Sequence, residues 1–165
     1  MAVKLVVDSA SDIDLKEAEA LGIHMIPMSI QFGDTTYADG IDLSGPAFFE
    51  KLIESSELPT TSQITMYQFE ECFAELTADG SEVVVITLSS KLSGTCAGAA
   101  SAARSFPGKV FVVDSLNVCI GERILIQYAI RLLKEGISAE ELEKRLLEAR
   151  KRIKLMALLG TLEYL

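Results

Sequence analysis

The run Ser89-Ser90-Lys91-Leu92-Ser93-Gly94-Thr95 holds the residues of this chain best suited to chemistry. It follows the apolar stretch Val83 to Leu88 and precedes a small-residue helical segment, Cys96 to Arg104. A buried strand that empties into hydroxyls and one glycine, then turns into a helix, builds an anion-binding corner. Unpaired backbone N–H groups at the helix start, and the positive end of its dipole, face whatever lies above the strand. Ser and Thr add uncharged donors, which suit a carboxylate or phosphate that is to be held rather than cleaved. A second hydroxyl cluster, Thr60-Thr61-Ser62-Gln63, also stands just before a helical pattern. Together they point to the head-group site of a ligand. The competing reading of the Ser-Gly corner is a helix N-cap inside a packed turn.

Other reactive side chains are sparse. Val-Val-Asp-Ser occurs at 6–9 and again at 112–115, each time where a strand should end. Asp8 and Asp114 could form an acidic pair for metal or acid–base work, but Ser follows each and no histidines cluster nearby. Capping or loop bracing is the favoured role. His24 is the only histidine, and there is no Gly-x-Ser-x-Gly elbow. Phosphate-binding glycine motifs of nucleotide sites are absent. Cys72, Cys96 and Cys119 are far apart, without a Cys-x-x-Cys pair, so neither zinc nor a disulfide framework is expected. Cys72 and Cys119 read as small core residues. Cys96 opens a helix, where a thiol pKa can fall. An enzyme that transfers or hydrolyses acyl or phosphate groups through Ser93 or Cys96 is therefore the alternative to a binding protein.

The elements that must hold these residues alternate between strand and helix. Val3 to Val7 reads as a strand, followed by a helix from Ile13 to Leu21 with Asp12 as N-cap and Gly22 as stop. Ile23 to Phe32 reads as extended, interrupted by Pro27, with a turn at Gly33 and a brief return strand at Thr36-Tyr37. A helix begins at Ser44 or Gly45, carrying Phe48, Phe49, Leu52 and Ile53 at helical spacing, and 55–62 reads as loop. Met66 to Ala78 is a second amphipathic helix. Val110 to Val113 is another buried strand, followed by a helix from Ile120 to Lys134. A last helix, opened by a capping box at Ser138 to Glu141, runs to Arg152, with an i,i+4 pair expected between Glu148 and Arg152. Such alternation implies an α/β fold, an open and mostly parallel sheet flanked by helices. Ligands then belong at the carboxyl ends of its strands. Residues 153–159 read as a strand and 160–165 as the opening of a further helix. The expected division is a domain over 1–152 and, over 153–165, the start of a second domain that is largely missing.

With 165 residues and 49% hydrophobic composition, one full core is within reach. A net charge of −9 argues against nucleic acid, which needs clustered Lys and Arg. No apolar run nears the ~18 residues of a membrane span, and no signal peptide is evident. A cytoplasmic location is expected, with no metal or cofactor.

Asp8-Ser9-Ala10-Ser11-Asp12, Thr61-Ser62-Gln63, the Ser89 to Thr95 run, Asp114-Ser115 and Thr161-Leu162-Glu163-Tyr164-Leu165 occur in this order. In that set and order the chain resembles the DegV family of bacterial fatty-acid-binding proteins, including FakB-like members that present a fatty acid to a kinase. The resemblance covers essentially the whole chain. It implies an α/β first domain, a longer protein with a second domain, and a long-chain fatty acid in a tunnel between the two. By motif match, Ser93 and Thr61 would hold the carboxylate, with Thr95, Ser62, Ser9 and Gly94 as supporting neighbours. An aromatic residue commonly follows the family's Ser-Gly-Thr; here it is Cys96, which puts the lining near the head group in question. No catalytic residue is implied. The partners implied are the fatty acid and a fatty-acid kinase, and the incomplete tunnel wall would leave apolar surface for self-association. Ile26, Met28, Ile30, Phe32, Met66 and Phe69 are candidate tunnel walls, each of them also an ordinary core residue.

Overall fold

The computed structural model describes residues 2–158. In chain order the elements are β1 (Val3–Asp8), α1 (Leu15–Leu21), β2 (His24–Ile26), β3 (Ser29–Phe32), β4 (Thr35–Ala38), α2 (Gly45–Glu54) and β5 (Thr60–Ser62). They continue with α3 (Met66–Thr77), β6 (Glu82–Thr87), α4 (Thr95–Ala103), β7 (Val110–Asp114), α5 (Ile120–Lys134) and α6 (Ala139–Ala149).

Strands β1 and β6 are apolar on both faces, so they have to be interior. They form the centre of a four-stranded parallel sheet of order β2-β1-β6-β7. Leu5, Val7, Val84 and Ile86 pack with α1, α5 and α6 on one side. Val6, Val83 and Val85 pack with α3 and α4 on the other. The expected doubly covered parallel sheet is thus present. Small residues on α4, Ala99 and Ala102, are wholly buried and let that helix lie close to the sheet.

A second, antiparallel sheet of order β4-β3-β5 branches from the first at Pro27. Proline cannot donate to a ladder, so the extended stretch predicted over 23–32 breaks there and its second half leaves the parallel sheet. Residues 60–62, read from sequence as loop, pair with β3, Thr61 opposite Ile30 and Ser62 opposite Ser29. Polar hydroxyls gave no alternation to betray this edge strand. Helix α2 covers one face of the small sheet with Phe48 against Phe32, ring centroids 5.7 Å apart. Its apolar spacing overstates its burial, because Phe49 is 62% and Ile53 84% exposed.

Several boundaries move. Asp14, not Asp12, caps α1, its carboxylate accepting from the Glu17 N–H at 2.8 Å. Asp12 instead adopts a left-handed backbone, φ 58°, while Ile13 turns into the core at 2% exposure. Gly22 stops α1 as expected, in the left-handed conformation. At the end of α6, Arg150–Arg152 tightens into a 3-10 turn, and Glu148 pairs with Lys151 rather than Arg152. The strand expected from residue 153 does not form through 158, and the reading of 160–165 lies outside the described residues.

Candidate head-group site

The central strand β6 ends at Thr87, and the Ser-Gly corner begins as the chain leaves the sheet. Both neighbouring strands end in aspartate, and both aspartates brace this exit. From β1, Asp8 accepts from the Leu88 N–H at 2.7 Å and the Ala10 N–H at 3.1 Å. From β7, Asp114 accepts from the Ser90 N–H at 3.1 Å, the Ser90 hydroxyl at 2.6 Å and the Leu116 N–H at 2.9 Å. The repeated Val-Val-Asp-Ser thus has a physical meaning: it clamps one loop from two sides. Burial pushes the Asp8 carboxyl up to about 6 against the lowering by its two N–H donors.

With residues 88–90 held, Ser93, Gly94 and Thr95 start α4. The Thr95 N–H donates to Ser93 Oγ at 3.2 Å, and the two hydroxyls lie 3.0 Å apart. Thr95 is wholly buried and its Oγ1 accepts from the Ile64 N–H at 3.4 Å, which ties the segment after β5 to the helix start. Gly98 permits this approach, since a Cβ there would lie 3.1 Å from the Ile64 carbonyl. Helix α4 has no side-chain cap, and the N–H groups of Gly94, Cys96 and Ala97 find no acceptor among the described residues. The corner therefore offers one half-buried hydroxyl, Ser93, beside three open backbone donors.

The named candidates divide accordingly. Ser93, Gly94 and Thr95 are brought together with Gln63 and Ile64. Ser9 stands at the end of β1, buried, and its Oγ accepts from the Met28 N–H at 3.0 Å, where the chain passes between sheets. Thr61 and Ser62 are exposed on β5, immediately before Gln63. Of the candidate tunnel walls, Ile26, Ile30, Phe32 and Phe69 are packed in cores, whereas Met28 is half-buried and Met66 is 46% exposed.

Cys96 does not have the lowered pKa that its helix position suggested. Burial, the largest influence, raises it, outweighing a hydrogen bond with Thr87. Cys72 is half-buried and packs against the core beside Phe69 and Phe73, as expected, whereas Cys119 is half-buried and opens α5 with φ 51°. Among the described residues no group of His, Cys, Asp and Glu is placed to hold a metal ion.

Two polar residues escaped the sequence reading. Glu122, in the first turn of α5, is wholly buried with neither carboxylate oxygen partnered among the described residues. Burial first, then the charges of Asp8, Asp12 and Asp114, push its carboxyl up to about 10. It is a neutral acid at physiological pH. Its position on the apolar face of an amphipathic helix was the only available signal. Arg150 donates through Nη1 to the Asp114 carbonyl, securing the β7 end of the clamp.

Comparison with known proteins agrees with this architecture. Residues 2–165 match the family described as uncharacterised protein, DegV family. A DegV domain-containing protein of Staphylococcus aureus (strain COL) is 38% identical over 161 residues, covering 98% of this chain and 57% of that protein. The structure of a DegV family protein from Thermus thermophilus, described by its fatty-acid binding, superposes with a TM-score of 0.83 at 32% identity, over 92% of this chain and 54% of that one. The structure of DegV, a fatty-acid-binding protein from Bacillus subtilis, gives 0.83 at 34% identity, with the same coverage of 92% and 54%. The chain thus spans little more than half the length of the proteins it matches. Residue motifs, topology and sequence likeness agree: this chain belongs to the DegV family.

Proposed function

We propose that this chain binds a long-chain fatty acid, holding its carboxylate at the start of α4 and presenting it to a partner kinase in the cytoplasm. The observation that carries the reading is the corner itself, an uncapped helix N-terminus whose open N–H groups stand beside the Ser93 hydroxyl. The fatty-acid binding described for the Thermus and Bacillus relatives supports the choice of ligand; the kinase rests on the family resemblance alone. A carboxylate accepting from Ser93 selects the arrangement in which Thr95 donates to Ser93 Oγ, leaving the serine proton free to point outward. Thr95 and Ser9 act in this reading as positioning residues, and Thr61 and Ser62 supply hydroxyls from the facing strand β5. Closure of the tunnel would come from a second domain beginning beyond residue 152.

A C16 tail buries about fifteen carbons, worth on the order of 10 kcal/mol at ~0.8 kcal/mol each. Each charge-assisted hydrogen bond adds about 1.5–3 kcal/mol before desolvation. The tail therefore dominates affinity while the corner sets orientation. The enzyme alternative loses ground because burial raises the Cys96 thiol and the nearest side-chain partner of Ser93 is another hydroxyl, not a base.

The test is solvent extraction of the purified protein with mass spectrometry, followed by oleate titration of wild type and Ser93→Ala. Co-purified fatty acid and an affinity about tenfold lower in the variant are expected. Unchanged affinity would remove Ser93 from the site.

A further inference from the structure

The carboxamide of Gln63 lies across the Cα of Gly94. A Cβ at position 94 would stand 1.9 Å from Gln63 Oε1, 2.8 Å from Cδ and 3.2 Å from Nε2. No other residue type fits there while the carboxamide keeps its place. Gln63 is exposed and its carboxamide makes no hydrogen bond among the described residues, so nothing in the protein uses its donors. Its backbone position is secured on both sides: Ser62 pairs with Ser29, and the Ile64 N–H donates to Thr95 Oγ1. A rigid anchor therefore carries a free amide to the mouth of the corner. Beneath the same corner the wholly buried Thr87 hydroxyl meets the Cys96 thiol in the first turn of α4, so that group is already used within the protein. The rim of the corner, with the Gln63 carboxamide beside the open N–H groups of Gly94, Cys96 and Ala97, thus carries donors in excess of the acceptors supplied by the described residues.

We propose that Gln63 is a further head-group donor, held over the start of α4 by the glycine at position 94, and that it makes the site prefer a carboxylate to an uncharged head group. This rests on the fatty-acid reading. An amide N–H binds an anionic oxygen about twice as strongly as a neutral one, so removing it costs the acid more than the alcohol. Gly94 acts through Gln63, because an alanine there displaces the flexible carboxamide rather than the backbone.

The experiment titrates the full chain with oleic acid and with oleyl alcohol, by calorimetry, in wild type, Gln63→Ala, Gln63→Glu, Gly94→Ala and the double variant Gln63→Ala/Gly94→Ala. Gln63→Ala should weaken oleate about tenfold and oleyl alcohol less than about twofold. Gln63→Glu keeps the shape and adds like charge, so its loss should exceed that of Gln63→Ala and shrink as pH falls toward 4. Gly94→Ala should match Gln63→Ala, and the double variant should be no weaker than either single. Equal losses for acid and alcohol, or no loss for either, would overturn the role given to Gln63. Additive losses in the double variant would overturn its coupling to Gly94. Wild type that binds neither ligand would overturn the fatty-acid reading and this inference with it, whereas oleate binding indifferent to Gln63 removes the inference alone.

Discussion

The parallel sheet and the small antiparallel sheet are built to different standards. In the first, Val83 to Ile86 are wholly buried, covered on both faces by helices, and the strand ends are locked by Asp8 and Asp114. In the second, the buried core is Ile30, Phe32 and Leu43, and helix α2 above it buries no residue fully. The rigid half ends in the donors that would meet a head group. The looser half carries Thr61, Ser62 and exposed apolar side chains, which suits a wall that must accommodate a tail. In the proposed fatty-acid reading this contrast divides the work, orientation coming from a few polar contacts and affinity from area.

The largest expected break in this contrast is in the first half. Phe73, wholly buried between Phe69 and Phe106, should cost about 3–5 kcal/mol on substitution by alanine, read by urea denaturation. Phe32→Ala, in the small sheet, should cost less and leave the far-ultraviolet signature of the parallel sheet intact; an equal loss would mean the halves unfold as one unit.

The buried acid provides the next test. The Glu122 carboxyl, at about 10 in the folded protein, lies well above the unfolded value of 4.5. The folded state therefore binds the extra proton, and stability contributed by this group falls as pH rises from about 4.5 to 10. Glu122→Gln should be neutral near pH 4 and raise Tm by roughly 10 °C or more at pH 8. A variant less stable than wild type at pH 8 would show that the acid has a partner when ionised.

The smallest effect concerns the joints between the halves. Thr95→Val keeps the shape but removes the acceptor of the Ile64 N–H, a loss of about 1–3 kcal/mol if that donor stays buried. Hydrogen exchange should quicken in β5 while β6 stays protected; uniform acceleration would place Thr95 in the core of the parallel sheet instead.

Much of this was legible along the chain because it depends on local rules. Continuous apolar runs marked β1, β6 and β7, helical spacing marked α3 and α5, and hydroxyls before a small-residue helix marked the corner. Thr60 to Ser62 reads as loop because an edge strand of exposed hydroxyls has no period to read. Asp12 and Asp14 both satisfy the capping rule, and only the burial of Ile13 separates them. Phe49 and Ile53 share the helical spacing of Phe48 yet lie exposed, because spacing records which residues share a face, not whether anything covers it.

Residue type and short-range order suffice for the alternation of elements, the hydroxyl-rich corner before α4 and the likeness to the family. Tertiary structure alone decided that two distant Asp-Ser pairs clamp the same loop, that Gln63 comes to rest over Gly94, and that Glu122 is held in its neutral form. These are matters of which segments meet across long separations and how much water is excluded between them, and no local pattern encodes either.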